Sequence, residues 1–391
     1  MHQDLQPGAT PSVEQCAGVV RELALRRVTR REFIERALVV GLSVPAIATL
    51  LAACGGEEES TGEPAPLDTT LPASVYFYNW ADSIAPDVVE RFERETGVRV
   101  EVPVYANNEE LLAKIKAGAT GYDVINPSDF MVTIMIKSGL LQPLDRSLIP
   151  NIKNAVPSLQ NPSFDPGTDG KKYSVPYGYG STAIAVRNDI ITSPVAGWEA
   201  MWDSANKKEI AMFDGERECF SAALLLLGYS PNTTDEAEIT AAKEKLIEQK
   251  PLLLKYTIDP KRDIIQGCGL VHSWDGEVVL AKRAVGVEKV HFVLPSQGFM
   301  MFADGLSVPK GAPSPYAAHM LLNFLLEPDV AAANANYIGY QQAAADVDLI
   351  EDPILKEMWL TDEQIAAGTF PVDLGEAAKL YQEAWTEVKA A

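Results

Sequence analysis

The chain has 391 residues, 47% of them hydrophobic and 22% charged, and a formal net charge of −21. It is too apolar for a disordered polymer and long enough to bury the cores of two domains. Its acidity argues against nucleic acid as a partner, because phosphates need a basic surface; it reads first as solubility outside the cell, with a field that attracts cations as the lesser reading.

The first distinctive stretch, "TRREFIERALVVGLSVPAIATLLAAC", joins Arg30, Arg31 and Phe33 to an uncharged run from Ala37 to Ala53 that ends in Leu-Ala-Ala-Cys. It resembles a twin-arginine export signal closed by a lipobox. The run is short for a bilayer, contains Gly41 and Pro45 and has no basic flank after it, all of which disfavour a retained transmembrane helix. Residues 1–53 are therefore expected to be a removed leader, and Cys54 the lipid-modified first residue of a protein anchored outside the cytoplasm, in the periplasm or at the cell surface. Residues 54–73, rich in Gly, Glu, Thr and Pro, read as a disordered tether.

From Ser74 onward strand and helix patterns alternate. "SVYFYNW" predicts a strand, "APDVVERFERETG" an amphipathic helix closing on Gly97, "VRVEVPVYA" a strand, "NEELLAKIKAG" a helix and "YDVINP" a strand. That order predicts an α/β lobe with a largely parallel sheet. The extended run over 171–189 is long for one strand of a small sheet and predicts a crossing between lobes. A second alternation follows, with helices at "WEAMWDSAN" and "DEAEITAAKEKLIEQK" and strands at "EIAMFD", "LVHSWD" and "HFVLPS". Trp198 and Trp202, at helical spacing, are assigned to core packing. "FADGLSVPK" predicts a second crossing, and "SPYAAHMLLNFLLEPDVAAANANYIG" two helices broken at proline. Two α/β lobes joined by two extended crossings describe a hinged protein with a ligand cleft between the carboxyl ends of its strands. The expected division is 74–180 with 302–349 as lobe 1, and 181–301 with 350–391 as lobe 2.

Catalytic motifs are missing from this pattern. There is no GxSxG, HExxH or GxxxxGK, and His272, His291 and His319 lie far apart, so no enzyme, metal or cofactor is expected. "GYGSTA" fits GxGxxA, yet "STAIAVR" continues as strand where a dinucleotide site needs a helix. Asp165 and Asp169 read as turn residues. Cys219 and Cys268 are compatible with either a disulfide or two buried thiols.

"VYFYNWADSIAPDVVERFERETGVRV", "GYDVINPSDFMV", "YSVPYGYGSTAIAVRND", "NFLLEPDVA" and "YIGY" together resemble the spermidine/putrescine-binding proteins of polyamine ABC transporters, from about Ser74 to Lys389. The resemblance implies a type II solute-binding fold, α/β, that closes on a polyamine and delivers it to a permease. Its aromatic walls fall on Trp80, Phe130, Trp274, Phe302 and Tyr340, with phenylalanine at 130 and 302 where tyrosine and tryptophan are usual. Its amine-binding acids fall on Asp82, Glu218 and Asp304. A further acid of the family aligns with Gly215, leaving Asp214 one place early, and a C-terminal glutamine aligns with Pro371. Ser128 joins the expected site, although it also reads as a helix cap.

Elementary chemistry agrees, since methylenes ended by ammonium groups call for aromatic walls and terminal carboxylates. The competing expectation is that Asp304 and Glu218 pair with Arg217, Arg283 or Lys310, that Asp82 starts a helix, and that the aromatics are core. A monomer is expected. Alternatives in function are a binding protein for another small organic solute, a two-lobe extracellular enzyme, or a signalling receptor.

Overall fold

The structure, a computed structural model, describes residues 68–167 and 170–391. The leader, Cys54, the tether up to residue 67 and Asp169 lie outside the described residues.

Strand β1 (Ser74–Trp80) sends Val75 and Phe77 into one apolar cluster and Tyr78 into another, the period-two division of a strand buried on both faces. Helix α1 (Pro86–Thr96) opens on proline and stops at Gly97, where φ is 74°, so both ends are set by backbone chemistry. The strand expected over 98–106 is two short ones, β2 (Arg99–Glu101) and β3 (Val104–Tyr105). The break falls at Pro103, which has no N–H to give a ladder. Helix α2 (Asn108–Lys116) is capped by Asn107, whose side chain accepts from the Glu110 N–H at 2.8 Å. Then come β4 (Val124–Ile125), α3 (Asp129–Lys137) and the single turn α4 (Pro157–Gln160).

The first crossing is β5 (Ser174–Arg187), buried over its whole length. It runs as strand straight through "GYGSTA", as expected. Beyond it lie β6 (Ile210–Phe213), α5 (Glu216–Leu226), α6 (Glu236–Gln249), β7 (Leu253–Thr257) and α7 (Pro260–Gln266), followed by β8 (Leu270–Trp274), α8 (Asp275–Val285) and β9 (Val290–Val293). The second crossing, β10 (Met300–Ser307), leads to α9 (Pro315–Leu325), α10 (Pro328–Ile338) and β11 (Gln341–Gln342). Three helices close the chain: α11 (Pro353–Glu357), α12 (Asp362–Ala367) and α13 (Ala378–Ala390).

One expected helix is not α-helical. "WEAMWDSAN" forms two 3₁₀ turns, Trp198–Trp202 and Ser204–Asn206, the second started by the Asp203 side chain. The indole N–H groups of Trp198 and Trp202 donate to the carbonyls of Gly298 and Lys245, and anchoring two large rings to different elements suits the tighter turn.

The central sheet runs β2-β1-β4-β10-β5-β8-β6-β7. β2, β1 and β4 are parallel, and so are β8, β6 and β7. Between the two sets stand β10 and β5, antiparallel to each other and to their outer neighbours. The chain thus forms the expected pair of α/β halves joined by two extended crossings.

Each half has apolar packing on both faces of its sheet. Phe77, Phe92 and Leu321 lie on one side of the first set, and Tyr78, Leu111 and Met135 on the other. In the second set, Met212, Phe220, Leu246 and Tyr381 oppose Ala211, Ile264 and Val271. Cys219 and Cys268 belong to opposite faces of this second layer and are both free. Among the described residues no helix is long and apolar enough to cross a membrane.

Candidate ligand site

The two crossings place Phe302 and Asp304 midway between the halves. Phe302 pairs with Gly180, and Ala303 with Tyr179, but the next pair is Gly305 with Pro176. Two residues of β5, Tyr177 and Gly178, therefore stand opposite Asp304 alone, a bulge of the kind that re-aims a side chain. Gly180 has no room for a side chain: a Cβ there would lie 2.4 Å from Asp275 Oδ1 and 2.7 Å from Phe302 Cζ.

Asp304 bridges to Ser128, just beyond the neighbouring strand β4, and its carboxylate accepts one hydrogen bond, from Ser128 Oγ at 3.3 Å. Ser128 sits at the N-cap of α3 without capping it. Asn108 holds Ser128 instead, accepting its N–H and donating to its Oγ at 3.2 Å each. Desolvation pushes the Asp304 carboxyl up to about 7, against a weaker downward pull from Ser128. Burial raises the hydroxyl pKa of Tyr105, Tyr177 and Tyr340, and the field of Asp304 adds a smaller push in the same direction.

None of the basic residues that might have satisfied Asp304 within the chain does so. Arg217 donates to Asn232 Oδ1 at 3.0 Å and to the Val372 carbonyl at 3.3 Å, and Arg283 pairs with Asp352. Lys310 is exposed, and no ion pair among the described residues involves it or Asp304. A desolvated carboxylate with one neutral donor and no cation is costly unless something outside the chain meets it.

The aromatic candidates are half-buried, and Trp80 and Phe130 also pack against an apolar cluster of the first half. Trp80, at the carboxyl end of β1, leans on Tyr105 with ring centroids 4.5 Å apart, and its buried indole N–H has no partner. Trp274, at the carboxyl end of β8, leans on Phe213 at the same distance. Phe302 meets Tyr340 edge-on at 6.2 Å, and the Tyr340 hydroxyl donates to Glu277 at 2.9 Å. Phe130, in the first turn of α3, is half-buried as well.

Glu218 lies in the first turn of α5 and folds back over its N-cap Gly215, where a Cβ would sit 2.3 Å from Glu218 Oε2. Burial raises its pKa, the helix backbone and Arg217 lower it less, and Glu109 of α2 raises it further. The acidic first turns of α2 and α5 thus face each other from the two halves. Asp214 is placed differently, with its carboxylate 2.6 Å from Lys389 Nζ in an accessible pair. Asp82 is exposed, with φ 55°, and the N-cap of α1 is Ala85 instead.

Asp275 escaped sequence reasoning, and two residues that it did cover, Asp165 and His272, sit differently from what was expected. Asp275, buried at the start of α8, accepts from the Ser181 N–H and Oγ, the Gly276 N–H and Gln341 Nε2, and burial pushes its carboxyl up to about 7. Its signal was its place directly after Trp274 in "HSWDG". Asp165, expected in a simple turn, is buried and holds the entry of β5 through the N–H groups of Tyr173 and Ser174. His272 is buried with an unpartnered Nδ1 and is pushed down to about 3 by desolvation, so it is neutral.

The chain matches the model of the bacterial extracellular solute-binding protein family over residues 87–365. It is 36% identical over 324 residues to the spermidine/putrescine-binding periplasmic protein of Salmonella typhimurium, covering 81% of this chain and 92% of that one. The Escherichia coli protein of the same description is 35% identical over the same shares. In structure, the spermidine/putrescine ABC transporter substrate-binding protein of Streptococcus pneumoniae superposes with a TM-score of 0.72 at 29% identity, covering 82% of this chain and 99% of that one. A lipoprotein of Treponema pallidum gives a TM-score of 0.73 at 28% identity, over 81% and 99%.

Proposed function

Starting from a chain that belongs to the bacterial extracellular solute-binding proteins, which bind substrates and are not enzymes, we propose that it is a receptor for putrescine or spermidine that serves an ABC transporter. The observation that carries the reading is Asp304, a desolvated carboxylate between the two halves with no cation of the chain beside it. An ammonium group supplies the missing charge. Phe302, Tyr340, Trp80 and Trp274 then enclose the methylenes, each aromatic contact with a cationic end contributing about 0.5 to 2 kcal/mol. Glu218 meets a second ammonium, and Ser128 orients Asp304.

A ligand touching both halves favours the closed state only by its better binding to that state. With β5 and β10 the main strands between the parallel sets, bending there moves the halves as bodies. Closure then presents a joint surface to a permease.

The signal-like stretch and Cys54 support a lipid-anchored, extracytoplasmic protein, and the Treponema pallidum relative is itself a lipoprotein. Expression of the full chain should give a membrane-bound protein with a lipid on Cys54 by mass spectrometry, and Cys54→Ser should release it.

Titration calorimetry with putrescine, spermidine, spermine and amino acids tests the binding reading. Saturable heat from a polyamine is expected. Gly215, Phe130 and Pro371 favour a second reading, another small organic cation, and heat from none of the polyamines would replace the first reading with it.

A further inference from the structure

Tyr340 stands on a short stretch of chain that does little by itself to hold it. It follows Gly339, whose φ of 80° ends α10, and precedes the two-residue strand β11. Its ring is nevertheless fixed, and the groups that fix it belong to α8, 63 residues earlier at Glu277.

One face of α8 grips the end of α10 and the residues after it. Gly276, Leu280 and Arg283 lie at i, i+4 and i+7, in line along the helix. Arg283 donates to the carbonyls of Asn336 and Tyr337, a favourable place for a cation at a helix C-terminus. Leu280 fills the space beside Gly339, where a Cβ would lie 2.9 Å from its Cδ2. At Gly276 a Cβ would lie 2.4 Å from Tyr340 Cδ1 and 2.5 Å from both Cδ2 and Cε1. Near-equal distances to three ring atoms place the ring face-on over Gly276. The φ of Gly276 is outside the left-handed region, so the missing side chain serves this close approach and not the backbone.

Glu277 completes the seat. It accepts the Tyr340 hydroxyl at 2.9 Å, and burial, reinforced by Glu277, raises that hydroxyl's pKa well above its ordinary value, so the phenol stays a donor. Phe302 meets the ring edge-on. One ring face is taken, and the other is left for a cation.

We infer that the first turn of α8 is the positioning element of the aromatic wall: Gly276 seats the Tyr340 ring and Glu277 pins its hydroxyl, presenting the remaining face to the ligand's ammonium before the ligand arrives. Both residues act through Tyr340 and not on the ligand. The inference rests on the polyamine reading of the cleft. A ring already held loses less side-chain freedom on binding, and glycine, a weak helix former, is thereby accounted for in the first turn of α8.

The test is calorimetry with spermidine on the chain lacking only its leader, with urea denaturation to confirm folding. Glu277→Ala should weaken spermidine about three- to thirtyfold, the range of one aromatic contact with a cation. Glu277→Gln keeps an acceptor for the hydroxyl and should bind within about twofold of wild type. Gly276→Ala should weaken binding about as much as Glu277→Ala in the wild-type background but not in Tyr340→Ala, where the methyl meets no ring. A residue that only holds the fold would not be rescued by glutamine and would act alike in both backgrounds. If Gly276→Ala does not fold, the two Glu277 variants still decide. Wild-type affinity in Glu277→Ala, Glu277→Gln as weak as Glu277→Ala, or Gly276→Ala equally harmful with and without the Tyr340 ring would overturn this inference alone. No heat from the wild type would overturn the polyamine reading and this inference with it.

Discussion

Asp304→Asn keeps the shape of the side chain and removes its charge, so it separates a carboxylate waiting for a cation from one that holds the fold. In the ligand-free protein the wild-type carboxyl stands at about 7 instead of 3.8, a penalty on its charged form of roughly 4 kcal/mol. Because the folded pKa is above the unfolded one, this acid subtracts stability as pH rises from the unfolded value through about 7,. Asparagine escapes that loss. The ligand-free variant should therefore be more stable than wild type at pH 8, by about 1 to 3 kcal/mol after allowance for water that still reaches the group.

Affinity should move the other way. At pH 8 the wild-type carboxylate is ionised, and deleting it should weaken spermidine by about 2 to 4 kcal/mol, some 30- to 1000-fold. At pH 6 the wild type must first release a proton, which costs about 1.4 kcal/mol. The ratio of variant to wild-type Kd should then shrink about tenfold, because the ligand's own ionisation is common to both proteins at each pH and cancels in the ratio. Calorimetry at the two pH values, with urea denaturation alongside, reads both effects. A ratio independent of pH, or a variant less stable than wild type at pH 8, would refute the reasoning.

Three further outcomes are expected. Gly180→Ala drives a methyl into Asp275 and Phe302 and should cost about 1 to 3 kcal/mol; an unchanged urea midpoint would mean the two strands yield freely there. Asp214→Asn removes an exposed pair with Lys389 worth at most about 1 kcal/mol and should leave spermidine affinity intact, whereas Glu218→Gln should weaken it at least about tenfold. Equal effects from the two would move the second ammonium site. In a chain starting after Cys54, Cys219 and Cys268 are buried and their thiols are pushed up, Cys268 to about 12, so iodoacetamide should label neither at pH 8 without urea and both with it; mass spectrometry counts the adducts.

Local pattern carries much of this protein. Period-two and period-3.6 burial act over a few residues, so alternation alone marked β1, α1, β8 and the continuous β5, and it ruled out a dinucleotide loop at "GYGSTA". Where local rules compete the reading slips. A four-residue tryptophan spacing fits an α-helix and a 3₁₀ turn alike, and partners 43 and 100 residues away decided between them at Trp202 and Trp198. Pro103 was a legible break that the apolar run around it hid.

The site divides along the same line. By itself the sequence determined which residue types are available: aromatics at the ends of parallel strands, and acids at 82, 214, 218 and 304. It left open which acids are already paired, because a partner is a matter of distance through space. Lys389 reaches Asp214 from 175 residues away and Ser128 reaches Asp304 from 176. Arg217, one residue from Glu218, turns instead toward Asn232 and Val372. Asp275 was overlooked because an acid in a helix's first turn is ordinarily explained by the helix dipole, and only folding gathers Ser181 and Gln341 around it. Sequence sets the inventory of charge and shape, but burial and pairing depend on neighbours distant along the chain, and so it was the tertiary structure that left Asp304 without a cation.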